Sequence, residues 1–441
     1  MPSRALRPAI IPRELLLPFL YVTLLFPLWG FANDITNPMV SAFQNILLLS
    51  HFESALVQAA FYGGYCVMAI PAALMIRRTG YKTGILTGLA LYASGCFLFL
   101  PAGWSMAFGT FLAAYFIMTC GLSFLETSAN PYVLSMGPQE TATRRLNFSQ
   151  AFNPMGSLLG MWVAKEFILA RLDPAGLEKR RELADSDAAA FNILVEKDLD
   201  VIVIPYVVLG VVVLIVLTSW LFRKMPDEAP SAPDHPGRSV GETLRHLWNT
   251  PHYREGVVAQ VFYVGAQIMC WTFIIQYAVS ELGMSRETAQ GWNIAAMIVF
   301  VSSRFVCTFL LKFIDAGRLL MWLSIGGGLL TFGVITLPGM AGLYCLVAVS
   351  ACMSLMFPTI YGIALQGLKD DAKLGSAGLI AAIGGGCALP PLQGAVMDGA
   401  GIALAGLEWS AVRVSFLLPV FCFLVIALYG FRSTTRLTAK S

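Results

Sequence analysis

The chain has 441 residues, 57% of them hydrophobic and only 12% charged, with a formal net charge of +3. A soluble globular domain carries roughly 25% charged residues, so this composition excludes an ordinary water-exposed surface. Long uncharged stretches of helix-spanning length read as membrane helices, and nothing alternates in the manner of an outer-membrane barrel.

In chain order, the basic segment Met1 to Arg13 is followed by an apolar run with no small-residue cleavage site. It is read as the first span and not as a removed signal peptide. Apolar runs predict spans near 15–49, 53–76, 83–101, 104–136, 146–170 and 201–222. A second set follows near 255–280, 288–311, 319–337, 340–367, 375–398 and 412–431, giving an all-α membrane protein of twelve helices. Two hydrophilic insertions interrupt the series. Residues 165–200 have an amphipathic, charge-mixed look around Leu177–Leu183, and residues 223–254 carry the proline-rich stretch 226–236, a flexible-linker composition. The expected organisation is a six-helix half over 1–222, a cytoplasmic linker over 223–254 and a second six-helix half over 255–441.

Short loops orient a membrane protein by their Lys and Arg content. Arg4, Arg7 and Arg13 precede span 1, Arg77, Arg78 and Lys82 follow span 2, and Arg144 and Arg145 follow span 4. Lys312 and Arg318 follow span 8, Lys369 and Lys373 follow span 10, and the loops after spans 1, 3 and 9 carry no Lys or Arg. Both termini are therefore expected in the cytoplasm. The 165–200 insertion breaks the pattern with six Lys/Arg, but it is long and holds nine acidic residues as well. The turns Arg77–Lys82 and Lys312–Arg318 recur at matching places in the two halves, the kind of internal repeat found in transporters whose halves rock around a midplane site.

Two carboxylates lie inside spans. Asp34 is the only charged residue between Leu15 and Phe52, and Glu126 the only one between Pro101 and Gln139. A charge at mid-membrane costs at least ~2.5–3.5 kcal/mol, so such residues mark function more often than packing. Out of water a carboxylate favours its neutral form, which suits it to carry a proton. Polar groups crowd around both: Asn33, Thr36 and Asn37, then Thr127, Ser128 and Asn130, then Asn147, Gln150 and Asn153. Asp34 and Asn37 are three apart and Glu126 and Asn130 four apart, so each pair shares a helix face. Pro38 and Pro131 follow these faces and predict local breaks that free backbone carbonyls. Amides and carboxylates of this kind suit a hydroxyl-rich solute, and Trp29, Tyr62 and Trp271 offer flat apolar surfaces for its ring. Arg304, eight residues before Lys312, is within snorkelling distance of the membrane surface.

The nine cysteines are scattered in apolar runs without a CxxC pair, and read as small core hydrophobes. The four His residues, 51, 235, 246 and 252, lie outside the spans or at their ends, which disfavours a His proton relay. Gly384–Gly386 with Pro390 and Pro391 reads as a site of close helix contact or flexing and not as a phosphate loop, because no strand precedes it. No nucleophile elbow, Walker motif or metal-ligand cluster is present, so neither enzymatic chemistry, a cofactor nor a bound metal is expected.

Several segments together are specific: Trp29-Gly-Phe-Ala-Asn33, Phe61-Tyr-Gly-Gly-Tyr65, Leu125-Glu-Thr-Ser-Ala-Asn-Pro131, Arg145–Asn153, Tyr263-Val-Gly-Ala-Gln267 with Cys270-Trp271, and Phe357-Pro-Thr359. In them the chain resembles the fucose:proton symporter family of the major facilitator superfamily over nearly its whole length. The resemblance implies sugar import coupled to a proton, with Glu126 as a protonation site. It also implies a sugar pocket that includes Trp29, Asn33, Gln150 and Asn153, and the segment around Gln267 and Trp271 looks closer to the fucose branch than to the glucose/galactose branch. One departure stands out. The family's first-span acidic residue usually falls at the position of Asn37, while Asp34 stands where Asn is usual.

The expectation is a secondary active transporter importing L-fucose or a related hexose by proton symport and alternating access. Asp34 and Glu126 are the coupling candidates. Trp29, Asn33, Asn37, Tyr62, Asn130, Gln150, Asn153, Gln267 and Trp271 are the substrate-binding candidates. A sodium-coupled hexose or N-acetylhexosamine transporter and a non-transporting sugar sensor are the alternatives, since Asp34, Asn37 and freed carbonyls also suit a hard cation. The partners expected are a sugar, a proton or sodium, and the lipid bilayer of a bacterial-type inner membrane; no nucleic acid is expected, and the chain is expected to work as a monomer.

Overall fold

The computed structural model describes residues 11–137, 145, 148–150, 152–223, 225, 240–311, 313–366, 368, 372–404 and 407–438. The proline-rich 226–236 stretch, Arg4, Arg7, Arg144, Asn147, Lys312 and Lys369 lie outside the described residues.

The chain folds into α1 (Leu16–Thr23), α2 (Leu25–Thr36), α3 (Met39–Ile46), α4 (His51–Thr79), α5 (Tyr81–Phe97), α6 (Phe99–Ser105), α7 (Phe108–Ser135) and α8 (Asn153–Val163). A π-helical stretch over Ala164–Leu169 extends α8. Then come α9 (Leu177–Ser186), α10 (Ala188–Phe222), α11 (Val240–Asn249), α12 (Pro251–Thr272), α13 (Ile274–Leu282), α14 (Arg286–Leu310), α15 (Ala316–Thr336), α16 (Met340–Met353), α17 (Met356–Leu365), α18 (Ala372–Ala381) and α19 (Gly385–Met397). A hairpin of β1 (Ile402–Leu404) and β2 (Leu407–Trp409) leads to α20 (Ala411–Ser415) and α21 (Leu417–Thr438). Among the described residues nine helical stretches are long and apolar enough to cross a membrane, and α12 with α13, bent by 41°, makes a tenth. Helices are what an apolar chain must form in lipid, where each backbone N–H and C=O has to be satisfied within its own segment. On α10, Ile204, Val208, Val211 and Ile215 line one exposed apolar stripe, a surface fit for lipid and not for water.

Contacts divide the loops between two ends of the bundle. At one, here the near end, Pro12 lies beside Gly137, Lys82 donates to the Arg223 carbonyl at 2.9 Å, and Arg432 pairs with Glu255 at 3.1 Å. The opposite, far end carries the starts of α4 and α14, each capped by a serine. Ser50 and Glu53 form a reciprocal capping box at 3.1 and 2.9 Å, and Ser285 accepts the Thr288 N–H at 3.2 Å.

Small residues hold the helices together, because lipid supplies no hydrophobic driving force between them. A side chain at Gly30, Gly156 or Gly160 would collide with the facing backbone across the α2–α8 seam. Gly88, Gly95 and Gly121 play the same part between α5 and α7. Gly384 lies on Cys66 and Gly386 on the Tyr62 ring, so the glycine run expected to allow close contact packs against α4.

The structure departs from the sequence expectation in four places. The 165–200 insertion is largely folded: α9 forms, and α10 begins at Ala188, thirteen residues before the expected start of span 6 at 201. A fully buried ion pair between Arg180 and Asp198 ties α9 to α10 there. Arg180 also donates to the Ala175 carbonyl at 3.1 Å, and Asn45 of α3 ties the same carbonyl to the bundle at 3.1 Å. Secondly, Pro131 does not break its helix, since α7 runs on to Ser135, whereas the chain does break at Asn37–Pro38 between α2 and α3. Thirdly, Arg304 does not run to the near-end surface: it turns onto the Phe300 ring (4.9 Å) and donates to the Ser354 carbonyl at 3.2 Å. Finally, β1 and β2 pair antiparallel with Ala403 opposite Glu408, a small addition between α19 and α20.

Candidate functional site

The break after Thr36 places Asp34 on the last turn of α2, where its carboxylate accepts the Asn37 Nδ2–H at 3.0 Å. Ser157 of α8 and Tyr62 of α4 border the same carboxylate, and Asp34 is only 5% exposed. The Asn37 carbonyl oxygen in turn accepts from Gln58 Nε2 at 3.1 Å, and the same Nε2 donates to Thr272 Oγ1 at 3.0 Å. A continuous hydrogen-bonded relay thus runs from Asp34 through Asn37 and Gln58 to the end of α12. It joins spans of the first half of the sequence to a span of the second.

Glu126 forms a separate centre on α7. Its side chain is half-buried, with Tyr65 of α4 beside it and Asn33 of α2 beside Tyr65. No hydrogen bond or ion pair to the Glu126 carboxylate is found among the described residues. Asn130, one turn along, donates to the Glu126 backbone carbonyl at 3.1 Å and accepts from Gln150 Nε2 at 3.3 Å. The Asn33 carbonyl oxygen is buried without a partner. Asn33 and Asp34 are neighbours on α2 and so project about 100° apart, one toward the Glu126 centre and the other into the relay.

The aromatic and amide candidates sort into two further groups. Asn153, in the amide orientation that satisfies its surroundings, accepts from Trp29 Nε1 and from the Gly30 N–H at 3.3 Å. It therefore fixes the Trp29 indole, whose ring packs on Phe26 at 4.3 Å. Across the bundle, Trp271 donates to Ser350 Oγ at 3.1 Å and meets the Phe300 ring edge-on at 5.0 Å. Gln267 lies one turn before Trp271 on the same face of α12 and is half-buried.

The structure brings Asp34 together with Asn37, and Glu126 with Asn130, Gln150 and, by way of Tyr65, Asn33. It pairs Trp29 with Asn153, sets Tyr62 beside Asp34, and leaves Trp271 and Gln267 on α12. Gln58 and Thr272, which complete the relay, were not anticipated. The available signal was an uncharged amide in the middle of an apolar run, which a search for buried charge passes over.

The sequence matches the Major Facilitator Superfamily model over residues 23–407. It is 50% identical to the L-fucose-proton symporter of Haemophilus influenzae over 96% of this chain and 98% of that protein. The L-fucose-proton symporter of Escherichia coli is 32% identical over 96% of this chain and 94% of its own length. In three dimensions the chain superposes on the crystal structure of a Major Facilitator Superfamily transporter, FucP, in the outward conformation. The TM-score is 0.72 at 32% identity, covering 96% of this chain and 99% of that one.

Proposed function

The chain belongs to the fucose:proton symporter family of the Major Facilitator Superfamily, and we propose that it imports L-fucose or a related hexose together with a proton. The observation that carries this reading is the placement of Glu126: a lone half-buried carboxylate, without a counter-charge among the described residues, in a polar cluster of Tyr65, Asn130 and Gln150. Such a group can take up a proton and lose its charge before the surrounding helices close on it. The amides of Gln150, Asn130, Asn33 and Asn37 then offer the neutral donors and acceptors that sugar hydroxyls require, with Trp29, Tyr62, Gln267 and Trp271 completing the pocket.

In this reading residues 1–222 and 255–441 are the two bodies that rock about the site, joined by a cytoplasmic linker over 223–254. The near end faces the cytoplasm of a bacterial-type cell, with both termini there, and the far end faces outward. Among the described residues, the hydrogen bonds between the two bodies lie toward the far end: His51 and Phe52 to Asp398, Ser41 to Arg286, and Gln58 to Thr272. These bonds support reading the arrangement as a state closed toward the outside, as alternating access requires after the solute has entered. The chain acts as a monomer in this reading.

Sodium coupling is the second reading, and one observation favours it: the Asp34 carboxylate and the Asn37 carbonyl oxygen lie in one buried relay with Gln58, oxygen donors of the kind a hard cation takes. The deciding experiment is uptake of a small monosaccharide panel, L-fucose included, into proteoliposomes with proton and sodium gradients imposed separately. Accumulation driven by the proton gradient alone is the expected result. Accumulation driven only by sodium would overturn proton coupling, and no uptake of any sugar would overturn transport in favour of a sensor.

A further inference from the structure

Between the relay and the far end lie three amides that the site described above does not use, Gln276, Gln290 and Asn293, and Gln58 of the relay itself keeps an unused carbonyl oxygen. Gln58 and Gln290 are fully buried, as is Asn293, and Gln276 is 4% exposed. Gln276 stands four residues beyond Thr272, across the bend at Phe273, and neither atom of its amide has a partner. The Gln58 carbonyl oxygen is likewise unpartnered, although its nitrogen is used twice. The short turn at Gly283 folds α14 back along α13, which brings Gln290 and Asn293 to the level of Gln276. Asn293 Nδ2 reaches Gln290 Oε1 at only 3.5 Å, leaving Gln290 Nε2 and Asn293 Oδ1 without partners. Gln290 and Asn293 share the buried face of α14 with Met297 and Phe300, and Phe300 is the ring that meets Trp271. An amide-lined seam therefore leads from Trp271 toward the far end.

Buried polar groups in native proteins are hydrogen-bonded, and each exception calls for a cause. Four neighbouring amides with unused donors and acceptors in one seam are poorly explained as packing, since apolar side chains of equal size would fill it without that cost. We propose that Gln58, Gln276, Gln290 and Asn293 form a hydroxyl-binding subsite on the far-end side of Trp271, which receives the monosaccharide when the far-end seam parts. The proposal rests on the sugar-transport reading above. Each amide offers both a donor and an acceptor, matching the dual character of a hydroxyl. The four carry no charge, so the subsite suits a neutral polyol and gives no counter-charge to a sugar acid or sugar phosphate. In the closed arrangement no described residue partners the unused amide atoms; parting of the seam presents them to an incoming sugar.

The test compares the two faces of the full-length protein in proteoliposomes of known orientation, with L-fucose as the probe. For Gln276→Ala and for Asn293→Ala, the half-saturating L-fucose concentration should rise about tenfold when sugar is presented at the far-end face. It should change less than twofold at the near-end face. Gln276→Asn, which keeps an amide, should regain part of the loss. An equal change on both faces, or no change on either, would overturn the subsite. Should Gln276→Ala fail to insert, Asn293→Ala and Gln290→Ala decide the same comparison. If the parent moves no L-fucose in either direction the transport reading falls with the subsite; if the parent transports and the variants match it on both faces, only the subsite falls.

Discussion

The carboxylate of Asp398, at the end of α19, caps the first turn of α4 through His51. Its two oxygens accept the backbone N–H groups of His51 at 2.7 Å and of Phe52 at 2.8 Å, and the His51 ring Nδ1 lies 2.8 Å from the same carboxylate. The partners are separated by 347 residues, so the contact joins a span of one proposed body to a span of the other. A helix N-terminus carries partial positive charge and unsatisfied N–H groups, which favours an anion there. Hydrogen bonds to a charged group contribute about 1.5–3 kcal/mol each. Asp398→Ala should therefore shift the equilibrium away from the far-end-closed state by at least tenfold. Spin labels at Met106 and Leu337 would report this as a longer distance component. An unchanged distribution would place the closure elsewhere.

The hydrogen bond between Asp34 and Asn37 gives a physical account of the departure from the family pattern in span 1. The two side chains already touch at 3.0 Å on one helix face. Exchanging acid and amide between them moves the carboxylate by one turn and keeps the pair intact. Asp34→Asn should thus reduce accumulation only in part. The double exchange Asp34→Asn with Asn37→Asp should accumulate sugar better than Asp34→Asn alone. Uptake under a fixed proton gradient checks this, and a double variant no better than the single one would mean that the position of the acid matters more than the pair.

Asp34 and Glu126 could be read from the sequence because a lone charge in an apolar run is costly and therefore conspicuous. The spans were legible for the same reason in reverse. What the sequence concealed are pairings between distant residues. Gln58 carries no charge, so its place between Asn37 and Thr272 emerges only once α4 is laid beside α2 and α12. Asn153 and Trp29 both read as sugar-pocket residues, but that the first holds the second across the α2–α8 seam emerges only from the fold. The 165–200 insertion reads as hydrophilic and charge-mixed because the pairing of Arg180 with Asp198, eighteen residues apart, forms only after folding.

That ion pair gives a stability prediction. Both partners are fully buried, and Arg180 also holds the Ala175 and Asp173 carbonyls at 3.1 and 3.2 Å. Removing one member leaves an uncompensated buried charge, at a cost of about 3–5 kcal/mol. Asp198→Ala should lower the thermal unfolding midpoint and expose the insertion to protease. Replacing both with Arg180→Met and Asp198→Leu should recover much of the loss. A single variant as stable as the parent would show that water reaches the pair.

The orientation can be tested independently of transport. With Cys66→Ser to lower background labelling, a cysteine at Asp185, exposed on α9, should react with an impermeant maleimide added to intact cells. A cysteine at Ser231, in the 223–254 linker, should react only after the cells are opened. The opposite pattern would reverse the topology read from the Lys and Arg of the short loops.

Coupling is the most specific prediction and rests on Glu126. Its half-buried carboxylate lies beside Tyr65, with no counter-charge among the described residues. Closing helices over a bare charge is expensive, and a proton removes that expense. If sugar and proton both favour the same closed state, each raises the affinity for the other, which is coupling in the thermodynamic sense. One charge crossing the membrane supplies ~2.3 kcal/mol per 100 mV, enough to concentrate a neutral sugar appreciably. Glu126→Gln keeps the shape and hydrogen-bonding reach of the protonated acid but cannot release a proton. It should bind L-fucose and exchange labelled for unlabelled sugar across the membrane, while net accumulation under an imposed proton gradient falls to the level of simple equilibration. Counterflow and gradient-driven uptake, measured on the same proteoliposomes, separate the two activities. If Glu126→Gln accumulates sugar as well as the parent does, the proton is carried elsewhere, and the Asp34 relay becomes the group to test, with proton and with sodium.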